Sequence, residues 1–300
     1  MKKLFLLGTA LGAAALLGAC GGGGGGGGGD AGSPPPVVTS SSASSVKYGD
    51  TLLVTLAGSG LDQLLTLSST GCRGFARSTT APNVSSATTA YYTCTVGGAT
   101  GNLSVTVAGG GVTAATVPFT VTVPQVSMLV SNGAGVAGTL VITLDPNHAP
   151  LTVDNFLAYV KSGFYNGTVI HRNSPGFVLQ GGGYAGPLSS TGTVPALKAT
   201  NAPIVLEDNA GVSNLTYTLA MARTGVVDSA TSQFFFNLAN NTFLDRTASA
   251  RGYAVFGSVT TGSALVDAMA AAPCQAWANL FAGECLPVPN LSFTSATQTR

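Results

Sequence analysis

Residues 163–183 constrain this chain more than any other stretch: Gly-Phe-Tyr-Asn-Gly-Thr-Val-Ile-His-Arg-Asn-Ser-Pro-Gly-Phe-Val-Leu-Gln-Gly-Gly-Gly. Val169, Ile170, Phe177, Val178 and Leu179 alternate with glycines and with a few side chains rich in hydrogen-bonding groups. That mix predicts a strand, a sharp turn and a second strand, from which Arg172 and Gln180 reach out of a rigid sheet towards a ligand.

The 300 residues suggest two domains. Only 8% of residues are charged and the formal net charge is +1, so nothing in the composition favours nucleic acid or an anionic membrane surface. The start is more decisive. Met1-Lys2-Lys3 is a short basic lead, and residues 4–17 form an apolar run too short to span a membrane, which predicts a secretory signal peptide over residues 1–20. Its end, Leu17-Gly18-Ala19-Cys20, resembles the bacterial lipobox, in which the cysteine carries lipid. Residues 21–36, polyglycine and then prolines, can bury nothing and are expected to form a disordered tether.

Of five cysteines, the four after Cys20 are Cys72, Cys94, Cys274 and Cys285. An even remainder in an exported chain reads as disulfides. Three connectivities are possible, and the sequence-local one is Cys72–Cys94 and Cys274–Cys285. A thiol metal site lacks a nearby histidine, because the two histidines are His148 and His171.

Residues 37–124 read as an all-β module. Leu52, Val54 and Leu56 alternate with other residues, as do Leu103, Val105 and Val107, and Val117, Phe119, Val121 and Val123. Tyr92-Thr93-Cys94 resembles the tyrosine two residues before the second cysteine of immunoglobulin-like sandwiches, although the core tryptophan of antibody domains is missing. No catalytic constellation stands out here, and a spacer or interaction role is the expectation. Pro124-Gln125 is expected to be a hinge. Beyond it Leu140, Ile142 and Leu144 predict a strand. Val153, Phe156, Leu157 and Val160 predict a helix over 152–162 with Thr152 as its cap. A second helix is expected over 263–272, capped by Ser263 and ended by Pro273. Leu291 and Phe293 suit a closing strand, and 273–290 looks like an insertion stapled by its cysteines.

Tyr165 to Arg172 followed by Pro175 to Gly182 resembles the signature of the cyclophilins, the cyclosporin-binding family of peptidyl-prolyl cis-trans isomerases. Leu219 to Arg223, Ser232 to Asn237, Phe243 to Asp245 and Gly252 to Gly257 follow in the family's order. The resemblance covers residues 126–300. It implies an eight-stranded antiparallel barrel with two capping helices and catalysis without metal or cofactor; with the immunoglobulin-like sandwich read from the strand pattern of 37–124, the whole chain is expected to be mainly β.

The resemblance also implies roles. Arg172 would donate to the prolyl nitrogen, Gln180 would bond substrate backbone and place Arg172, and Phe177, Val178, Phe235 and Leu244 would form the proline slot. Met221 and Gln233 would lie beside the slot, Ala222 and Arg223 along the groove, and Phe243 and Tyr253 at its rim. His171 is expected to be structural, with a satisfied ring. Val178 stands where many members carry methionine, and Asn173-Ser174 where an apolar pair is usual. Phe243 stands where cyclosporin-sensitive members carry tryptophan, which predicts weak drug binding. The expected protein is therefore a monomeric, lipid-anchored isomerase of the bacterial envelope, on the periplasmic side of the outer membrane, acting on proline-containing clients. A low-turnover proline-peptide binding or chaperone module is the alternative. A third reading puts the function in the β module, as a surface adhesin with the barrel as passenger.

Overall fold

The computed structural model describes residues 34–300, apart from 111, 192, 209–210, 278–279 and 281. The signal segment, Cys20 and nearly all of the expected tether lie outside the described residues. The tether's last residue, Pro36, is buried, so the folded part begins slightly earlier than expected.

Eight strands follow: β1 (Val37–Ala43), β2 (Val46–Lys47), β3 (Thr51–Ser59), β4 (Leu65–Ser68), β5 (Cys72–Arg77), β6 (Thr89–Val96), β7 (Gly101–Gly109) and β8 (Val112–Thr122). They form two sheets, β1-β3-β6-β5 and β2-β8-β7-β4, with β2 parallel to β8. With the two-residue β2 set aside, this is the strand order of an immunoglobulin sandwich, in which the first, second, fifth and fourth strands share one sheet. The alternating residues face inward: Leu52, Val54, Leu56, Val105, Val107, Val117 and Val121 are all essentially inaccessible. Val123 instead lies beyond β8 and is exposed.

The disulfide corrects the antibody analogy. Cys72 and Cys94 are bonded, but they sit on β5 and β6, neighbours within one sheet, and do not cross between sheets. Tyr92 accordingly serves no corner between strands; its hydroxyl accepts a hydrogen bond from Arg77 (3.2 Å) in that sheet.

The rest of the chain forms β9 (Gln125–Ser131), β10 (Ala137–Leu144), α1 (Pro150–Lys161), β11 (Thr168–Ser174), β12 (Val178–Ala185), β13 (Thr218–Met221), β14 (Phe234–Asn237), β15 (Val255–Thr261), α2 (Ser263–Ala270), β16 (Cys274–Gln275), β17 (Leu286–Pro287) and β18 (Ser292–Gln298). Eight of these strands close a barrel in the order β10-β15-β13-β14-β12-β11-β18-β9, and each pair in it is antiparallel. Its interior holds an aromatic cluster in which Phe156 of α1 meets Tyr165, Phe234 and Phe256 with ring centroids 5.0–5.5 Å apart.

Both helix caps differ from expectation. The helix α1 starts at Pro150, where a missing N–H costs nothing, with Ala149 as N-cap. Thr152 is buried inside the first turn. The orphan N–H groups of Leu151 and Thr152 are met by the carboxylate of Glu207, at 3.0 and 2.7 Å, from a segment far away in the chain. In α2 the cap is Gly262, whose φ of 94° is a conformation that glycine adopts without strain, and Ser263 is the first helical residue.

Pro124 and Gln125 do not form a loose hinge. Pro124 accepts a hydrogen bond from Leu144 N–H (2.9 Å), and Gln125 accepts one from Thr299 N–H (2.8 Å). The sandwich is further tied to the barrel by Arg73–Asp154 (2.6 Å), by Lys161 to the Gly49 carbonyl (3.0 Å) and by Gln298 to the Tyr48 carbonyl (2.8 Å).

Candidate active site

One row of cross-strand neighbours runs over the outer face of the barrel. Arg172 pairs with Gln180 across β11 and β12, Gln180 with Phe235 across β12 and β14, Phe235 with Ala220, and Ala220 with Val255 on β15. A bulge in β11 makes this possible. Ile170 opposes Gly181 and Arg172 opposes Gln180, so His171 is the extra residue. Without the bulge, Ile170 and Arg172 would share a face. With it, Ile170 points into the core and Arg172 out of the barrel. The turn that returns β11 to β12 needs a left-handed residue, and Gly176 takes it with φ 69°.

Val178, Ala220, Phe235 and Val255 form an apolar cluster separate from the barrel core, with Phe177, Ala222, Leu244 and Tyr253 packed on it. This cluster floors a cleft of about 150 Å³, at whose edge stand Arg172, Gln180 and Arg223. A volume of that order accommodates a single benzene-sized ring. A larger hollow of about 350 Å³ lies where the sandwich meets the barrel, lined by residues such as Thr100, Val123, Asn147 and Val255; among the described residues no cationic side chain lines it.

The polar edge is tightly tied. Arg172 Nη1 donates to Gln180 Oε1 (2.9 Å), and Gln180 Nε2 donates to Gln233 Oε1 (3.0 Å). The guanidinium carbon lies 5.8 Å from the Phe177 ring centre. Arg172 Nη2 also donates to the carboxylate of Glu284 in an ion pair. Arg223 lies over the Tyr253 ring at 4.6 Å and donates to the Gly252 carbonyl. Phe243 is 72% exposed and stacks on Phe177 with centroids 5.6 Å apart, on a short 3-10 turn that also presents Leu244.

Of the expected site residues, Arg172, Phe177, Val178, Gln180, Ala222, Arg223, Phe235, Leu244 and Tyr253 line the cleft together. Gln233 and Phe243 stand just behind them through the contacts above. Met221 does not face the cleft: it is 1% exposed and belongs to the barrel core, because Ala220 takes the outward position of β13. His171 is buried, but its Nδ1 meets no hydrogen-bonding partner among the described residues. Its ring packs edge-on against Tyr184 and Trp277. Burial, with the adjacent Arg172 charge adding to it, lowers its pKa to about 4, while a backbone hydrogen bond at Val169 acts the other way. The expectation of a fully satisfied ring is therefore not met.

Glu284 was missed. Its segment, β16 paired with β17 and closed by the Cys274–Cys285 disulfide, reads as a surface staple in the sequence. In the fold, Cys285 exchanges backbone hydrogen bonds with Asn173 (2.8 and 2.9 Å), which sets the staple against β11 beside Arg172. Trp277 fills the space beneath it.

Residues 126–282 match the family described as cyclophilin type peptidyl-prolyl cis-trans isomerase/CLD. The chain is 49% identical over 131 residues to peptidyl-prolyl cis-trans isomerase A of Dickeya dadantii, which covers 44% of this chain and 65% of that protein. It is 46% identical over 140 residues to a peptidyl-prolyl cis-trans isomerase of Acinetobacter baylyi, covering 47% and 71%. Against peptidyl-prolyl cis-trans isomerase B of Escherichia coli the figures are 44% over 133 residues, 43% and 77%. The chain belongs to the cyclophilin-type peptidyl-prolyl cis-trans isomerase family. The match to the family begins at Val126, so the sandwich stands outside it.

Proposed function

We propose that the cleft catalyses cis–trans isomerisation of X–Pro bonds in polypeptide clients. The barrier to such rotation is amide resonance, ~18–20 kcal/mol for peptide bonds in general. Lowering it requires no nucleophile and no proton shuttle. An apolar notch grips the proline ring, and a donor meets the prolyl nitrogen, whose lone pair becomes available as the bond twists. A donor that interacts more strongly with the twisted amide than with the planar one lowers the barrier.

The observation that carries this reading is the placement of Arg172 at the edge of a cleft floored by Val178 and Phe235, with Phe177 and Leu244 at its sides. The guanidinium is permanently charged and offers several N–H groups in one plane. Gln180 and Gln233 hold it from one side. The carbonyl beyond the proline falls to Gln180 in this scheme, and the residues before the proline to Ala222 and Arg223.

The test is exchange of a proline peptide by wild type and by Arg172→Ala. Loss of one preorganised donor is expected to remove about 2–4 kcal/mol of transition-state stabilisation, with the melting curve little changed. Equal rates would leave only a proline-peptide binding module. Phe243 offers no indole N–H, so cyclosporin should bind weakly, and a submicromolar inhibition constant would contradict this.

We further propose export and lipid anchoring at Cys20, with the enzyme acting on envelope clients as a monomer. The signal-like start supports this, as do the two disulfides, which persist in oxidising compartments. Labelling with a radioactive fatty acid should mark the wild type and not Cys20→Ser.

A further inference from the structure

We propose that Glu284, carried on the disulfide-closed staple, is a positioning residue that holds Arg172 in its productive orientation. The inference rests on the isomerase reading above. Four observations meet here. The Glu284 carboxylate bonds Arg172 Nη2, while Gln180 bonds Nη1, so the two terminal nitrogens of the fork are held by different elements. The carboxylate is well buried, its side chain 10% exposed against 21% for Arg172, so water competes poorly for the pair. Arg172 lines the cleft and Glu284 does not, so the carboxylate holds the guanidinium without itself forming part of the slot. Finally, the residue after Glu284 is locked. Cys285 is bonded to Cys274 and exchanges two backbone hydrogen bonds with Asn173, the residue after Arg172.

A free arginine side chain populates many rotamers, and a donor that must be recruited from them loses part of its advantage at the moment of reaction. Gln233, Gln180, Arg172 and Glu284 form one chain of fixed hydrogen bonds that removes this freedom beforehand. Arginine has five N–H groups, and two are used in these contacts, so donors remain for the substrate. The other disulfide, Cys72–Cys94, joins two neighbouring strands of the sandwich.

The experiment measures kcat and KM for a proline peptide with the full chain. Glu284→Ala is expected to lower kcat about tenfold with KM within about twofold, because only the twisted state depends on the aim of the fork. Glu284→Gln keeps an acceptor oxygen and should recover activity to within about threefold of wild type. In an Arg172→Ala background, Glu284→Ala should change nothing further, since the two act as a unit. The pair Cys274→Ser/Cys285→Ser should reproduce the Glu284→Ala defect without lowering thermal stability of the barrel enough to explain it. A Glu284→Ala enzyme as fast as or faster than wild type overturns the inference, and so does an equal loss in the Arg172→Ala background, which would mean general damage. A wild type without turnover overturns the isomerase reading and this inference together; an active wild type with an indifferent Glu284→Ala overturns the inference alone.

Discussion

The sandwich and the barrel face are built from the same alternating strands, yet they spend their polar groups differently. In the sandwich, the inward positions carry Leu52, Val54, Leu56, Val105 and Val107, and its prominent cation, Arg77, bonds two backbone carbonyls and a tyrosine of its own sheet. On the barrel face, the row from Arg172 to Val255 mixes a half-buried guanidinium and a glutamine with three apolar residues beside an open cleft. A strand pattern alone therefore marks a core. Chemistry appears where polar side chains share a face with apolar ones and are held by neighbours that leave part of their valence free.

Three measurements would break or sharpen that contrast. The largest effect is expected from Leu56→Ala in the sandwich core, which should cost about 2–5 kcal/mol of stability and leave kcat/KM per folded molecule unchanged. A fall in kcat/KM at temperatures where the variant is fully folded would show that the sandwich does take part in turnover. Next comes His171. Its folded pKa of about 4 lies below the ordinary value of 6.5, so the unfolded chain binds the extra proton first. The stability from the neutral ring is complete above pH 6.5 and is lost as pH falls towards 4, by about 3 kcal/mol at most. Denaturation at a series of pH values should show a steeper loss between pH 6.5 and 4.5 in wild type than in His171→Phe; equal slopes would put the ring in a polar setting. The smallest effect belongs to the seam. Arg73 and Asp154 are both substantially exposed, so Arg73→Ala should cost no more than about 1 kcal/mol, read from the melting temperature at low salt.

Much of this was legible in the sequence, and what was not falls into two kinds. The alternation in Leu52 to Leu56 and the helical spacing of Val153, Phe156, Leu157 and Val160 name their own buried faces, because both signals are local. The cleft residues were legible through their order along the chain. Three features were not. The bulge at His171 reverses the face of Arg172 without any mark in composition. Glu207 meets the free N–H groups of α1 from 55 residues away, so the local candidate, Thr152, is not the cap. Glu284 meets Arg172 across 112 residues, and nothing near it in the chain names its partner. Met221 is a different error: period two along β13 gives the outward position to Ala220, and the sulfur side chain turns inward.

The partners of the two cystine bridges are 22 and 11 residues apart in the chain, and neither bridge encloses the other. Each cysteine is close to its mate along the chain, and every mispairing between the two sets requires closing a far longer loop, which is entropically less favourable. The native pairs are thereby favoured over the crossed ones by chain length alone, and the staple beside the guanidinium is the tighter of the two loops.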